Sequence, residues 1–96
     1  MTPELKAKWL AALRSGEYVQ GTGHFEKDRK FCCLGVLCKV AGEPTGTVEY
    51  SNWAFVHSVV PDPIVSDAYH RNDGSQGRGI KAQTFAQIAD WLEGAI

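Results

Sequence analysis

The stretch FCCLGVLCKVA, residues 31–41, decides how this chain folds, because it is the most apolar stretch of the sequence. A strand of eleven residues is long for a small domain, whereas a helix of three turns fits. At about 100° per residue, its cysteine, leucine and valine side chains cover one broad side, and Gly35 lies opposite. Gly42 then ends the segment as glycine commonly ends helices. We predict a central buried helix over residues 33–41, in which Gly35 lets another backbone approach closely.

Amphipathic helices are predicted at both ends of the chain. The first has Thr2 as its cap, places Trp9 on its apolar face and stops at Gly16. The second begins at Thr84, where TFAQ has the form of a capping box, and carries Trp91 at the border of its apolar stripe. We interpret Trp9 as a core residue, and Trp91 as either a core residue or an anchor for a protein partner.

The remaining segments predict a small sheet. Residues 17–20 are a short extended candidate, 45–50 and 53–60 have strand-forming composition, and 64–70 favour a short helical turn. Residues 25–31 predict a hairpin whose tip is a run of three basic and two acidic side chains. That run is either a phosphate-binding patch or, as its mixed signs favour, a solvated turn.

Composition indicates one small ordered domain. The chain has 96 residues, 44% hydrophobic and 22% charged, with a formal net charge of −1, which excludes the strongly basic character of a general nucleic-acid coat. No apolar run approaches a membrane span and no signal peptide is recognisable, so we expect a cytoplasmic protein. The predicted fold is α+β, a single domain over 1–96 with two or three helices around a short antiparallel sheet.

The three cysteines are predicted to be buried thiols. Cys32, Cys33 and Cys38 crowd into one short segment, and an odd number cannot form a disulfide framework. Their spacing lacks the pairs and further ligands of a zinc site, and no histidine is placed to activate a nucleophile. We therefore predict no catalytic residues, no metal and no cofactor.

The glycine-rich segment from Arg71 to Gly79 is the predicted ligand site. It matches neither a phosphate-binding P-loop nor a dinucleotide fingerprint. It is either a flexible connection or a polar loop leading to a helix N-terminus, which attracts anions. For the second case we predict Arg71, Asn72 and Arg78 as ligand-binding residues.

Charge is distributed unevenly along the chain. Residues 1–40 hold seven basic and four acidic side chains, and residues 41–96 hold three and seven. Complementary halves and a thin core favour self-association, so we expect a homodimer.

Three stretches together resemble a family of small uncharacterised proteins of tailed phages and prophages. They are WLAALRSGEYVQG, FCCLGVLC and RNDGSQGRGIKAQTFAQIADWLE, and from the first to the last they span most of the chain, residues 9–93. The resemblance implies a phage accessory protein and carries over no catalytic residues.

The expected function is therefore binding without catalysis. The expected partner is a host protein or a small anionic, nucleotide-like signal, as in phage counter-defence. One alternative is a DNA-binding regulator, because TFAQIADWLE resembles the first helix of a helix-turn-helix. However, no recognition helix follows it here and the chain is slightly acidic, so nucleic acid is not the expected partner. A second alternative is a small cysteine-dependent enzyme.

Overall fold

The computed structural model describes residues 1–47 and 50–96, and has the predicted α+β architecture. Within the described residues there are five α-helices, more than the two or three predicted, and a three-stranded sheet. The elements are α1 Pro3–Ser15, β1 Val19–Gln20, β2 Glu26–Lys27, β3 Lys30–Phe31, α2 Cys33–Val40, α3 Trp53–Val59, α4 Asp62–Asp73 and α5 Phe85–Ala95. In this described part, no helix has the length and apolar character needed to cross a membrane.

Helix α2 is the centre of the fold, as its apolar sequence predicts. Every residue from Cys33 to Cys38 is buried, and the helix packs against α1, α3, α4 and β3. Trp9 of α1 is fully buried, and its indole Nε1 donates to the carbonyl oxygen of Cys33 at 2.9 Å. The close approach predicted at Gly35 is also confirmed, because a Cβ there would overlap the carbonyl oxygen of Phe25. The chain entering β2 therefore lies directly against α2.

Helix α1 begins and ends as predicted, and α5 begins as predicted. Leu5 N donates to Thr2 Oγ1 at 3.2 Å, and Gly16 ends α1 with a left-handed φ of 78°. In α5, Gln87 N donates to Thr84 Oγ1, and Thr84 N donates to Gln87 Oε1, which completes the capping box. These local signals are sufficient because each satisfies backbone groups at the end of its own helix.

The uneven charge of the sequence is partly neutralised within one chain. Arg14 Nη2 on α1 lies 2.8 Å from Asp90 Oδ1 and 3.4 Å from Glu93 Oε2 on α5. Exposed ion pairs contribute little to stability. Their position nevertheless shows that the basic first half meets the acidic second half across the α1–α5 contact. Charge asymmetry therefore does not by itself require a second copy.

The sheet is mixed, which corrects the prediction of an antiparallel sheet. Strand β3 lies in the middle, parallel to β1 and antiparallel to β2. The hairpin predicted over 25–31 is present as β2 and β3. The loop after β1 carries the chain to the far side, so the returning β3 runs in the same direction as β1.

The strand predicted over 53–60 is wrong, since these residues form helix α3. Asn52 Oδ1 accepts from Phe55 N at 3.3 Å and caps the helix. Val56 and Val60, four residues apart, are the buried positions, which is a helical period. The helix cap and the burial of one helical face thus outweigh the preference of the β-branched residues for a strand. Of the strand predicted over 45–50, residues 48 and 49 lie outside the described residues, and Gly46 forms an isolated bridge with Ser51.

Candidate functional site

The predicted ligand loop is replaced by the end of a helix and a short closed turn. Arg71 and Asn72 belong to α4, which extends the short turn predicted at 64–70, and Arg78 ends a 3-10 turn. The rest of the segment, residues 74–79, therefore follows the C-terminus of α4 and is separated from α5, which begins at Phe85. The helix N-terminus that was expected to attract an anion is not at this loop.

The two predicted arginines contact different neighbours. The guanidinium of Arg71 lies over the ring of Trp91, 4.2 Å from its centroid, in a cation–π contact between α4 and α5. Arg78 Nη1 lies 3.9 Å from Asp67 Oδ1 on the flank of α4. One face of the half-buried Trp91 ring is thus occupied by Arg71, and no shared anion site forms from these contacts.

Asn72 is a structural residue, which corrects its prediction as a ligand contact. It is 1% exposed. Its Oδ1 accepts from Cys33 N and from Gln20 Nε2, each at 3.1 Å, and its Nδ2 donates to the carbonyl oxygen of Gly21 at 2.9 Å and to Asp73 Oδ1 at 2.8 Å. Cys32, at the N-cap of α2, makes no side-chain cap hydrogen bond. Asn72 therefore caps the central helix from a distant part of the chain, and its amide has no capacity left for a ligand.

Gln20 extends this network to the last helix. Its Oε1 accepts from Phe85 N at 3.1 Å, and its Nε2 also donates to the carbonyl oxygen of Gln83 at 2.7 Å. Two amide side chains, Gln20 and Asn72, thus connect the sheet to the beginnings of α2 and α5. The sequence gives no local sign of this role because the partners are far apart along the chain.

A concavity with charged lining residues lies beside the sheet, between the loop after β1 and the hairpin. This charged cleft has a volume of about 470 Å³. Its lining residues are Gln20, Gly21, Thr22, His24, Lys27, Asp28 and Lys30. Two ammonium groups, one imidazole and one carboxylate thus face one small volume.

Lys27 and Lys30 are direct cross-strand neighbours in the antiparallel pair. Residues opposite each other on paired strands point to the same face, and like charges in that position destabilise the pair. Within the described part of the chain, neither lysine makes an ion pair or a side-chain hydrogen bond to a protein group. Their positive charge is therefore available to a ligand in the charged cleft.

The turn between the two lysines is strained. Asp28 has φ 54° and Arg29 has φ 63°, the left-handed values of a two-residue hairpin turn. Glycine and asparagine adopt these values readily, whereas a residue such as arginine is strained there by roughly 1–2 kcal/mol. The hairpin thus carries charged residues where glycine would be more stable.

The opposite wall of the charged cleft is fixed by glycine and by α4. A Cβ on Gly21 would stand 2.7 Å from the Cβ of Lys30, so only glycine lets the loop lie this close. Gly23 N donates to Asp73 Oδ2 at 3.1 Å. Together with the bond from Asn72 to Gly21, this contact holds the loop in place over the hairpin.

The cysteines are buried, as predicted, and are protonated at neutral pH. Burial raises the pKa of the Cys32 thiol to about 12 and that of Cys38 to about 11, and it raises the pKa of Cys33 well above its ordinary value. A thiol must ionise to act as a nucleophile. Burial therefore disfavours the thiolate form of all three cysteines. Among residues 1–47 and 50–96, no group of ligating side chains could hold a metal ion.

The sequence indicates the charged residues of the cleft but not which of them share one face. The charged run at the hairpin tip was weighed as a phosphate-binding patch, and its mixed signs favoured a solvated turn. The informative signal is the register: a two-residue turn places Lys27 opposite Lys30, so both lysines lie on one face. The carboxylate of Glu26 does not line the charged cleft, because its Oε1 accepts from Thr45 Oγ1 at 2.8 Å. Net charge along the run therefore misrepresents the charge of that face.

Comparison with known proteins identifies a family but no activity. A family model described as a domain of unknown function, DUF8296, matches residues 1–67. This part includes every lining residue of the charged cleft. No curated protein and no solved structure matches the chain.

Proposed function

The chain belongs to the DUF8296 family, a domain of unknown function, and from the geometry of its own residues we propose that it acts by binding a small phosphate-bearing ligand in the charged cleft. The proposal keeps the expectation of binding without catalysis and moves the site. The ligand contacts are now Lys27, Lys30 and His24 in place of Arg71, Asn72 and Arg78.

One observation carries this proposal: Lys27 and Lys30 lie opposite each other across the hairpin, and neither has an ion-pair partner in the part of the chain that the structure describes. The two ammonium groups repel each other, which lowers stability. An anion bound between them attracts both groups and offsets this repulsion. The backbone of Gly21 packs closely against Lys30, which holds the loop of the charged cleft beside that lysine. Phosphate suits this arrangement because several of its oxygens can accept from different donors at once.

The strained turn supports the same site. Strain in a folded protein is concentrated at functional positions, and here it lies between the two lysines at the tip of the hairpin. Arg29 adds a third cation at this tip, next to the lining of the charged cleft. A purely structural hairpin of this length is better served by Asn-Gly.

The wider setting of the proposal follows the resemblance to tailed-phage proteins. We propose a phage-type accessory protein that occupies a small anionic signal in the cytoplasm, and the three free thiols support a reducing compartment. The homodimer stays a prediction, supported by the small core and not by charge, since Arg14 meets its acidic partners within one chain.

Removing the two lysines tests the proposal directly. Calorimetric titration of the protein with inorganic pyrophosphate at low salt is expected to give binding to the unchanged chain. Lys27→Gln and Lys30→Gln are each expected to weaken it about tenfold, and the double variant about a hundredfold. Both substitutions replace an exposed lysine with a polar, uncharged side chain that is one atom shorter, so the fold is retained.

Lys8→Gln is the matched control. Lys8 is an exposed lysine on α1 and does not line the charged cleft. The control separates loss of the site from loss of one positive charge anywhere on the protein. Equal affinities for the double variant and the control, or no pyrophosphate binding by the unchanged chain, would show that the charged cleft is not the binding site.

A further inference from the structure

A second cleft adjoins the charged cleft. It has a volume of about 320 Å³ and shares Gln20 and Thr22 with the first. Its other lining residues are Asn72, Ala82, Gln83 and Thr84. A ligand that passes over Gln20 and Thr22 would therefore have its phosphate end beside Lys27 and Lys30, with its other end against the segment before α5.

The wall of this second cleft contains an unpaired hydrogen-bond acceptor. In the described part of the chain, Gln83 Oε1 is closed to solvent and has no hydrogen-bond partner. A buried polar atom without a partner is costly, and most such atoms in folded proteins are paired. The backbone of Gln83 is fixed by two hydrogen bonds: its N donates to the carbonyl oxygen of Arg71, and its carbonyl oxygen accepts from Gln20 Nε2. Its side chain makes no hydrogen bond among the described residues, so its amide can turn into the cleft without losing one.

We propose that the ligand is a nucleoside phosphate whose base carries an exocyclic amino group, with the base in the second cleft and paired to the Gln83 amide. This inference rests on the proposed function, since the phosphates occupy the charged cleft. An amide of glutamine offers one acceptor and one donor side by side, and this arrangement matches the amino group and N7 of adenine. The lysines then read the phosphates and Gln83 reads the base.

The test compares three probes that share phosphate chemistry and differ in the rest of the molecule. ADP, UDP and inorganic pyrophosphate are titrated into the unchanged chain and into Gln83→Met, which keeps the side-chain length and removes the amide. ADP is expected to bind the unchanged chain about tenfold more tightly than UDP or pyrophosphate. Gln83→Met should remove this advantage and leave pyrophosphate affinity unchanged.

The outcomes separate this inference from the proposed function. If pyrophosphate binds through the lysines but ADP and UDP bind equally, the charged cleft stands and base recognition by Gln83 is wrong. An unchanged ADP advantage in Gln83→Met overturns the inference in the same way. A short single-stranded oligonucleotide is titrated separately, and tighter binding of it than of ADP would identify nucleic acid as the ligand in place of the nucleotide. Absence of pyrophosphate binding removes the proposed function itself.

Discussion

Replacing Asn72 with alanine is expected to lower the free energy of unfolding by about 3 kcal/mol, a large part of the stability of a domain this size. The change removes the cap from Cys33 N at the start of the buried helix α2. It also leaves the carbonyl oxygen of Gly21 without the amide that donates to it. Cys33 N is buried where water cannot replace the lost hydrogen bond, so it incurs the larger desolvation penalty, whereas Gly21 is only half-buried.

Asn52→Ala is the matched control for this prediction. Asn52 is also an asparagine that accepts from the first turn of a helix, but it lies at the less buried start of α3. Loss of such a cap costs about 1 kcal/mol. Urea unfolding gives the free energy of unfolding of both variants, compared with one m-value, the slope of that free energy against urea concentration. Equal losses would show that Asn72 is an ordinary cap and not the buried connection between the sheet, α2 and α4.

Gly35→Ala is expected to be the second severe substitution, with a loss of about 3 kcal/mol. The added Cβ would stand 2.6 Å from the carbonyl carbon of Phe25, closer than real Cβ contacts come. Because the obstacle is backbone and not a flexible side chain, the chain before β2 or helix α2 itself must move. Both border the charged cleft or the core, so packing is lost along with the contact.

Gly94→Ala tests the same change where there is room. Gly94 lies within α5, and a Cβ there would have no heavy atom within 4 Å. Alanine is the better helix former, so this variant should be more stable by about 0.5–1 kcal/mol. Thermal unfolding of both variants gives the comparison. A Gly35→Ala protein as stable as the unchanged chain would contradict the close packing of α2 against Phe25.

Cap residues and apolar period were readable wherever the partners are close in sequence. Thr2, Gly16 and Thr84 mark their helix ends because each acts on its own helix. The burial of α2 and the close approach at Gly35 were also predictable, since so apolar a helix has no face for solvent. Residues 53–60 were wrongly predicted as a strand, because an apolar run with several β-branched residues shows no clear helical period. The signal for a helix is Asn52, whose side chain caps its first turn.

The α+β class, the central helix, both ends of α1 and the start of α5 could be predicted from the sequence, because local hydrogen bonds and apolar spacing control them. Tertiary structure alone decided the roles of the polar residues. Asn72 became an internal cap because α4 brings it to Cys33, thirty-nine positions away along the chain. Gln20 likewise accepts from Phe85 N, sixty-five positions away along the chain. Such roles depend on which distant groups meet, and no local pattern encodes that.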